Sequence, residues 1–175
     1  MSKSPAPSRR RKRRQKSPPQ IDVIVRSPQW RKRATAKTIV KKAVLTAAQA
    51  VSTPRAELAI VLSDDSAIRA LNRDWRGKNA PTNVLSFPAA QPGKTPAASP
   101  YIGDIIIAYQ TVAREAVAEG KPFNHHLAHL AIHGFLHLLG YDHENDRDAQ
   151  TMERLERRIL KRMAVPDPYA ERAEV

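Results

Sequence analysis

The stretch H-G-F-L-H-L-L-G-Y-D-H, from His133 to His143, constrains the fold more than any other part of the chain. His133 and His137 are four residues apart, so on a helix both rings project from one face, separated by about 40° of rotation and about 6 Å of rise. Gly140 can adopt the left-handed conformation that ends a helix and reverses the chain. His143 can then face the same point as the other two. The pattern therefore predicts a helix and turn that gather three imidazoles around one cation.

Three neutral imidazoles favour Zn²⁺, although Ni²⁺ or another divalent ion could bind the same ligands. They leave one position open for water, which is typical of catalytic zinc sites. A single histidine is usually an ordinary core or surface residue, but the pair, the glycine and the third histidine together favour a metal. We expect His129 to pack or to support a ligand, and His125 and His126 to be exposed. Asp142 either orients a ligand histidine or is simply a turn residue.

The spacing matches the long zinc-protease signature H-E-x-x-H-x-x-G-x-x-H, except that Gly134 occupies the position of the catalytic glutamate. Gly134 cannot take a proton from a metal-bound water and pass it to a leaving amine. Peptide hydrolysis is therefore disfavoured, unless a glutamate from elsewhere substitutes. Phosphodiester cleavage needs instead a metal-bound hydroxide and a cation that stabilises charge on the phosphate oxygens.

A candidate cation lies in L-N-R-D-W-R-G-K-N-A-P-T-N-V-L-S-F-P, residues 71–88. Arg73, Arg76 and Lys78 cluster there in a predicted Gly/Pro loop before a strand, a usual location for functional residues. Arginine matches phosphate through its planar fork. All three are candidate RNA contacts, with Arg76 the catalytic candidate, while a solvated surface loop is the simpler interpretation of Arg73 and Lys78.

Charge predicts a polyanionic partner. The 175 residues include 30 Lys and Arg against 17 Asp and Glu, a net charge of +13, which favours nucleic acid. Residues 1–20 carry eight basic side chains and no acid. Their Ser and Pro content predicts a disordered tail: an RNA-binding arm, a solubilising extension, or residues upstream of the true start codon. Cysteine is absent, which excludes disulfides and zinc–thiolate sites, and we expect neither a membrane span nor a secretory signal.

Apolar periodicity predicts a single α/β domain over residues 21–169, followed by a C-terminal tail at 170–175. Alternating elements favour a layered fold with a small mixed sheet of about four strands and about five helices. Strands are expected at 21–25, 57–62, 84–87 and 103–108, and helices at 35–51, 63–72, 109–119, 124–139 and 146–163. Residues 89–100 are predicted to form a mobile loop.

Three blocks resemble one known family. H-G-F-L-H-L-L-G-Y-D-H, W-R-G-K-N-A-P-T-N-V-L-S-F-P and I-G-D-I-I-I are similar to the YbeY family of bacterial rRNA maturation factors and single-strand-specific endoribonucleases, over roughly residues 21–169. The resemblance implies a four-stranded mixed sheet, one Zn²⁺ on His133, His137 and His143 at the base of a basic cleft, and a role for Arg76 in activity. It further implies cytoplasmic work on the 3′ end of 16S rRNA in the small ribosomal subunit and in ribosome quality control, with ribosomal proteins or an assembly GTPase as partners.

Two other functions remain open. A zinc-containing ribosome-binding assembly factor with little intrinsic catalysis is one, and it would have a complete set of protein ligands because structural zinc sites are closed. A metallopeptidase-like hydrolase is the other, and it would need a displaced carboxylate base.

Overall fold

A mixed four-stranded sheet forms the centre of the molecule, as predicted. The computed structural model describes residues 17–53, 56–89 and 100–170. The strands are β1 (Gln20–Val25), β2 (Glu57–Ser63), β3 (Val84–Pro88) and β4 (Tyr101–Ala108). Their spatial order is β1-β2-β4-β3, in which β1, β2 and β4 run parallel and β3 is antiparallel at one edge.

Helices cover both faces of this sheet. They are α1 (Ala36–Ala50), α2 (Asp65–Arg76), α3 (Tyr109–Ala118), α4 (Phe123–Leu138) and α5 (Asp146–Arg162). Alternate residues of a strand point to opposite faces, so Leu85 and Ile106 pack with α2 on one face, while Val84 and Ile105 face the main core with α1, α4 and α5. Among the described residues, no helix is long and apolar enough to cross a membrane.

Helix α4 is the most buried element and carries the first two histidines of the motif. Its apolar residues surround most of its circumference, and ten of its sixteen residues are buried. Such a helix must lie inside the molecule, because an amphipathic surface helix has only one apolar stripe. Its contacts with β3, β4, α1 and α5 therefore fix the position and rotation of the histidines.

Helix α2 is one turn longer than predicted, and this corrects the location of the basic cluster. The Asp64 side chain caps its start by accepting from the Ala67 amide at 3.0 Å. Its end is set by Gly77, whose φ of +69° is left-handed. Arg73 and Arg76 are therefore helical residues and not part of a Gly/Pro loop, whereas Lys78 follows the helix.

The remaining differences from the predicted boundaries are small. Strand β1 begins at Gln20, one residue before the predicted start. A short 3₁₀ helix at Pro28–Lys32 was not predicted, and it buries Trp30, whose indole Nε1 donates to the Ser63 carbonyl at 2.7 Å. The predicted tails at 1–20 and 170–175 and the loop at 89–100 fall mainly outside the described residues.

Candidate metal centre

The three motif histidines converge beside the end of α4. The Nε2 atoms of His133 and His137 are 3.1 Å apart. The ring of His143 lies 5.5 Å from that of His133 and 4.9 Å from that of His137, measured between centroids. One ring nitrogen from each histidine can be chosen so that all three lie within 4.8 Å of one another. Local helix geometry together with one turn therefore produces the predicted cluster.

The turn that brings His143 back is a glycine-dependent helix cap. Gly140 has a φ of +88°, its amide donates to the His137 carbonyl at 3.0 Å, and the Tyr141 amide donates to the Leu136 carbonyl at 3.1 Å. These are the two hydrogen bonds of a Schellman motif. Asp142 acts within the turn, because its carboxylate accepts from the His143 amide at 2.7 Å rather than from a histidine ring.

Gly134 faces the sheet and not the histidine cleft. A Cβ at this position would lie 2.8 Å from Ile105 Cγ2 and 3.1 Å from Ser86 Oγ, and the Ser86 hydroxyl donates to the Gly134 carbonyl at 3.0 Å. The close approach of α4 to β3 and β4 therefore requires glycine here. A glutamate could not simply be restored at this position, because its side chain would enter the packed core.

A buried carboxylate that the sequence did not reveal supports the centre from behind. Glu156 of α5 is fully buried. Its two oxygens lie 2.8 Å from His133 Nδ1 and 2.9 Å from His129 Nε2, and the Tyr169 hydroxyl donates to it. His129 therefore shares this carboxylate with His133.

The charge state of Glu156 follows from these contacts. Burial alone would raise the pKa of Glu156, but hydrogen bonds and charge from His129 and His133 outweigh it and lower the pKa to about 2. An ionised carboxylate only accepts hydrogen bonds, so whenever His133 carries a single proton that proton lies on Nδ1 and the Nε2 lone pair points toward His137. Burial and the same carboxylate raise the pKa of Tyr169, which keeps its hydroxyl a donor.

This arrangement fits a metal ion. Two nitrogens bound to one tetrahedral zinc at about 2.0–2.1 Å lie roughly 3.3 Å apart, close to the 3.1 Å between the Nε2 atoms of His133 and His137. Burial, followed by the proximity of His133 and His143, lowers the pKa of His137 to about 4, so its ring is neutral at pH 7, as a ligand must be. His129, His133 and Glu156 form a second possible ligand group, but its carboxylate is fully buried and already bonded to both rings.

The centre opens into a cleft of about 640 Å³. One wall comes from the end of α4 and the following turn, including the three histidines. The other comes from Arg76, the edge strand β3 and the residues just before it. Among the predicted RNA contacts, Arg76 lines this cleft, whereas Arg73 and Lys78 do not. Arg73 is instead paired with Asp74, its Nε lying 2.8 Å from the carboxylate.

Two features of the site were not predicted. Glu156 lies four residues after Met152 and three before Ile159, within the apolar stripe of α5, and an acid in such a stripe was the available signal. The prediction that His126 is exposed was wrong. It is 6% exposed, and its Nε2 lies 2.7 Å from Glu115, because the first turn of α4 packs against α3.

Known proteins match this chain over most of its length. A family model described as Endoribonuclease YbeY matches residues 24–164. A protein named Endoribonuclease YbeY from Rhodopseudomonas palustris is 57% identical over 155 residues, covering 87% of this chain and 82% of that protein. One of the same name from Nitrobacter hamburgensis is 57% identical over 157 residues, covering 87% and 83%. The solution structure of TM1509 from Thermotoga maritima has the same fold, with a TM-score of 0.54 and 22% identity over 89% of this chain and 99% of that one.

Proposed function

Because the chain belongs to the Endoribonuclease YbeY family, we propose that it is a zinc-dependent endoribonuclease that cleaves single-stranded RNA. The observation that carries this proposal is the convergence of His133, His137 and His143 in a cleft whose opposite wall includes Arg76. These three histidines would hold one Zn²⁺. When bound, the ion supplies positive charge at the phosphate and makes water more acidic at neutral pH.

The protein's own residues would prepare the centre for a phosphodiester. Glu156 keeps the proton of His133 on Nδ1, so that Nε2 is available as a ligand. Arg76 is exposed and has no ion-pair partner among the described residues, so its guanidinium is free to bind non-bridging phosphate oxygens through two parallel hydrogen bonds. This contact would stabilise the negative charge that develops on the non-bridging phosphate oxygens in the transition state.

Gly134 disfavours the alternative of a metallopeptidase. The position that holds the catalytic base in zinc proteases points here into the sheet, where no carboxylate fits. Asp142 and Glu144 do line the cleft, so a displaced base remains a chemical alternative. Turnover of a casein substrate that disappears on metal removal would support that alternative and contradict the proposal.

The direct test combines metal content with RNA cleavage on the same preparations. Wild type should contain about one zinc per chain and cleave an unpaired oligoribonucleotide, whereas His137→Ala should lose both zinc and cleavage. His125→Ala is the matched control, because this histidine lies in α4 outside the cleft. Undiminished cleavage by zinc-free His137→Ala would contradict a zinc-dependent mechanism.

Arg76→Ala separates catalysis from support of the metal. We expect this variant to retain zinc and to lose at least about 10²-fold in cleavage rate, as is typical when one group that stabilises transition-state charge is removed. Retained zinc with undiminished cleavage would exclude Arg76 from the chemistry. Loss of zinc would instead mean that Arg76 supports the structure of the centre.

We further propose that the cellular substrate is precursor rRNA of the small ribosomal subunit, processed at the 3′ end of 16S rRNA in the cytoplasm. Ribosomal proteins or an assembly GTPase would then present this RNA. Cells in which His137→Ala replaces the wild type should accumulate 16S rRNA with extended 3′ ends. Normal ends in those cells would contradict this substrate. If normal ends accompanied impaired subunit assembly, they would favour a ribosome-binding assembly factor with little catalysis.

A further inference from the structure

Trp75 is an exposed tryptophan next to the candidate catalytic arginine. It lies in the last turn of α2 and is 72% exposed, whereas Trp30, the other tryptophan, is 2% exposed. Single apolar residues on a surface are common. A large aromatic ring that remains exposed beside an active-site cleft is different, because Trp combines a large apolar surface with a strong tendency to stack on other π systems.

Trp75 belongs to a small aromatic platform, which we define as Trp75, Phe87 and Tyr101. The rings of Trp75 and Phe87 are 5.8 Å apart at 68°, an edge-to-face contact. Phe87 therefore buttresses Trp75 without stacking on it. Tyr101 is 40% exposed and donates its hydroxyl to Asp104 at 2.6 Å. Together they line a groove of about 650 Å³, a volume typical of small-molecule sites.

The groove adjoins the histidine cleft along edge strand β3. Arg76, Ser86 and Pro88 line both cavities. The histidine cleft lies on the α4 side of edge strand β3, and the groove lies on the α2 side. A chain bound to both would cross the edge of the sheet at Arg76. That side chain has no ion-pair partner among the described residues and would meet the chain at a phosphate.

This inference rests on the proposed function: we propose that Trp75 stacks on an unpaired RNA base in the groove, on the α2 side of the phosphate at the histidine centre. Phosphate contacts position a nucleic acid, and stacking on an aromatic ring holds a base without reading its identity. Bases in a duplex are stacked on each other and cannot turn onto Trp75. The platform therefore selects unpaired RNA without requiring a particular sequence.

Fluorescence can detect this contact in the intact protein, because the two tryptophans differ so strongly in exposure. An oligouridine of about 12 nucleotides, within the usual range of single-strand site sizes, should quench Trp75 emission within the first seconds of mixing. Trp75→Phe should remove that response and leave the emission of buried Trp30 unchanged. An abasic ribose–phosphate oligomer of equal length and charge should quench little, since it offers no base.

Kinetics of the zinc-loaded enzyme give the second measurement. Trp75→Ala should raise KM for the oligouridine by about 5- to 150-fold, the range that corresponds to losing one stacked base, with a smaller change in kcat. Trp75→Phe should restore most of the affinity, because phenylalanine also stacks. Val117→Ala, at an 83% exposed apolar residue of α3 outside both cavities, is the matched control and should leave KM unchanged.

The outcomes separate this inference from the proposed function. Wild-type cleavage with an unchanged KM in Trp75→Ala would overturn the stacking contact and leave the nuclease intact. Base-dependent quenching without any cleavage would retain the stacking contact and contradict the nuclease. If Trp75→Ala left KM on naked RNA unchanged but weakened binding to small ribosomal subunits, the inference would be overturned. Trp75 would then contact a protein partner instead of an RNA base.

Discussion

Gly134→Ala is the substitution that most directly tests how α4 is positioned. The added methyl carbon would lie 2.8 Å from Ile105 Cγ2, 3.1 Å from Ser86 Oγ and 3.4 Å from Val84 Cγ2. All three atoms belong to β-strand side chains with little freedom: the isoleucine and valine are β-branched, and the serine is hydrogen-bonded to Gly134 itself. Helix α4 must therefore move away from the sheet, or the strands must yield.

The magnitude follows from two opposing effects. Overpacking a close-packed core typically costs about 1–3 kcal/mol, and the rigidity of the neighbours places this position in the upper part of that range. Alanine is favoured over glycine in a helix by about 1 kcal/mol. We expect a net loss of about 1–2 kcal/mol in the free energy of unfolding. The urea midpoint should fall by about 0.5–1 M, at a slope of about 2 kcal/mol/M.

Urea unfolding of metal-free protein, followed by circular dichroism, measures this loss without a contribution from ligand binding. Combining Gly134→Ala with Ile105→Ala removes the atom in closest contact, so the double variant should lose about 1 kcal/mol less than the sum of the single variants. Ile68→Ala, equally buried but in the separate apolar cluster on the opposite face of the sheet, is the matched control and should add to Gly134→Ala with little coupling. A Gly134→Ala protein as stable as wild type would refute the reasoning.

Three further predictions concern the centre and the N-terminal segment. Glu156→Gln should keep its fold but weaken zinc binding by about 10- to 100-fold in a chelator competition, because the orienting carboxylate is lost; unchanged affinity would exclude that role. Metal-free wild type should lose stability as the pH falls from about 6.5 to about 4, since the lowered pKa of His137 means that the unfolded chain takes up the proton first. His137→Ala should flatten this part of the urea-midpoint profile, and an unchanged profile would contradict the assignment. Deleting residues 1–16, which hold eight basic side chains, should reduce the slope of log affinity for RNA against log salt by up to about 6; an unchanged slope would show that they do not contact phosphates.

The histidine cluster could be predicted because its geometry is local. Three candidate ligands lie within eleven residues, and helical periodicity with a left-handed glycine is enough to bring them together. Glu156 could not be predicted in the same way, because its contact with His133 depends on how α5 packs against α4. A buried acid between apolar neighbours identifies an anomaly, but periodicity does not reveal which cation or donor it meets.

The predicted end of α2 and the predicted exposure of His126 were both wrong, for different reasons. The polar and glycine residues near Arg76 were predicted to form a loop, whereas α2 continues to Arg76 and ends at the left-handed cap of Gly77. His126 was expected to be exposed because it lies in a first turn. The packing of α3 against α4 buries its ring beside Glu115, and that packing has no local sequence signal. Gly134 is different, because the sequence showed an unusual residue at this position. The structure supplies the reason, which is the close approach of α4 to the sheet.

The position of Glu156 in the chain has a consequence for biosynthesis. Ribosomes extend a polypeptide toward its C-terminus, so all three histidines are synthesised before Glu156 and Tyr169. Until α5 has emerged and packed against α4, His133 lacks the carboxylate that fixes its tautomer. Under the proposed function, a nascent chain next to abundant ribosomal RNA would remain an incomplete nuclease until its last helix had folded. The order of residues thus makes completion of the centre a late step in the synthesis of the chain.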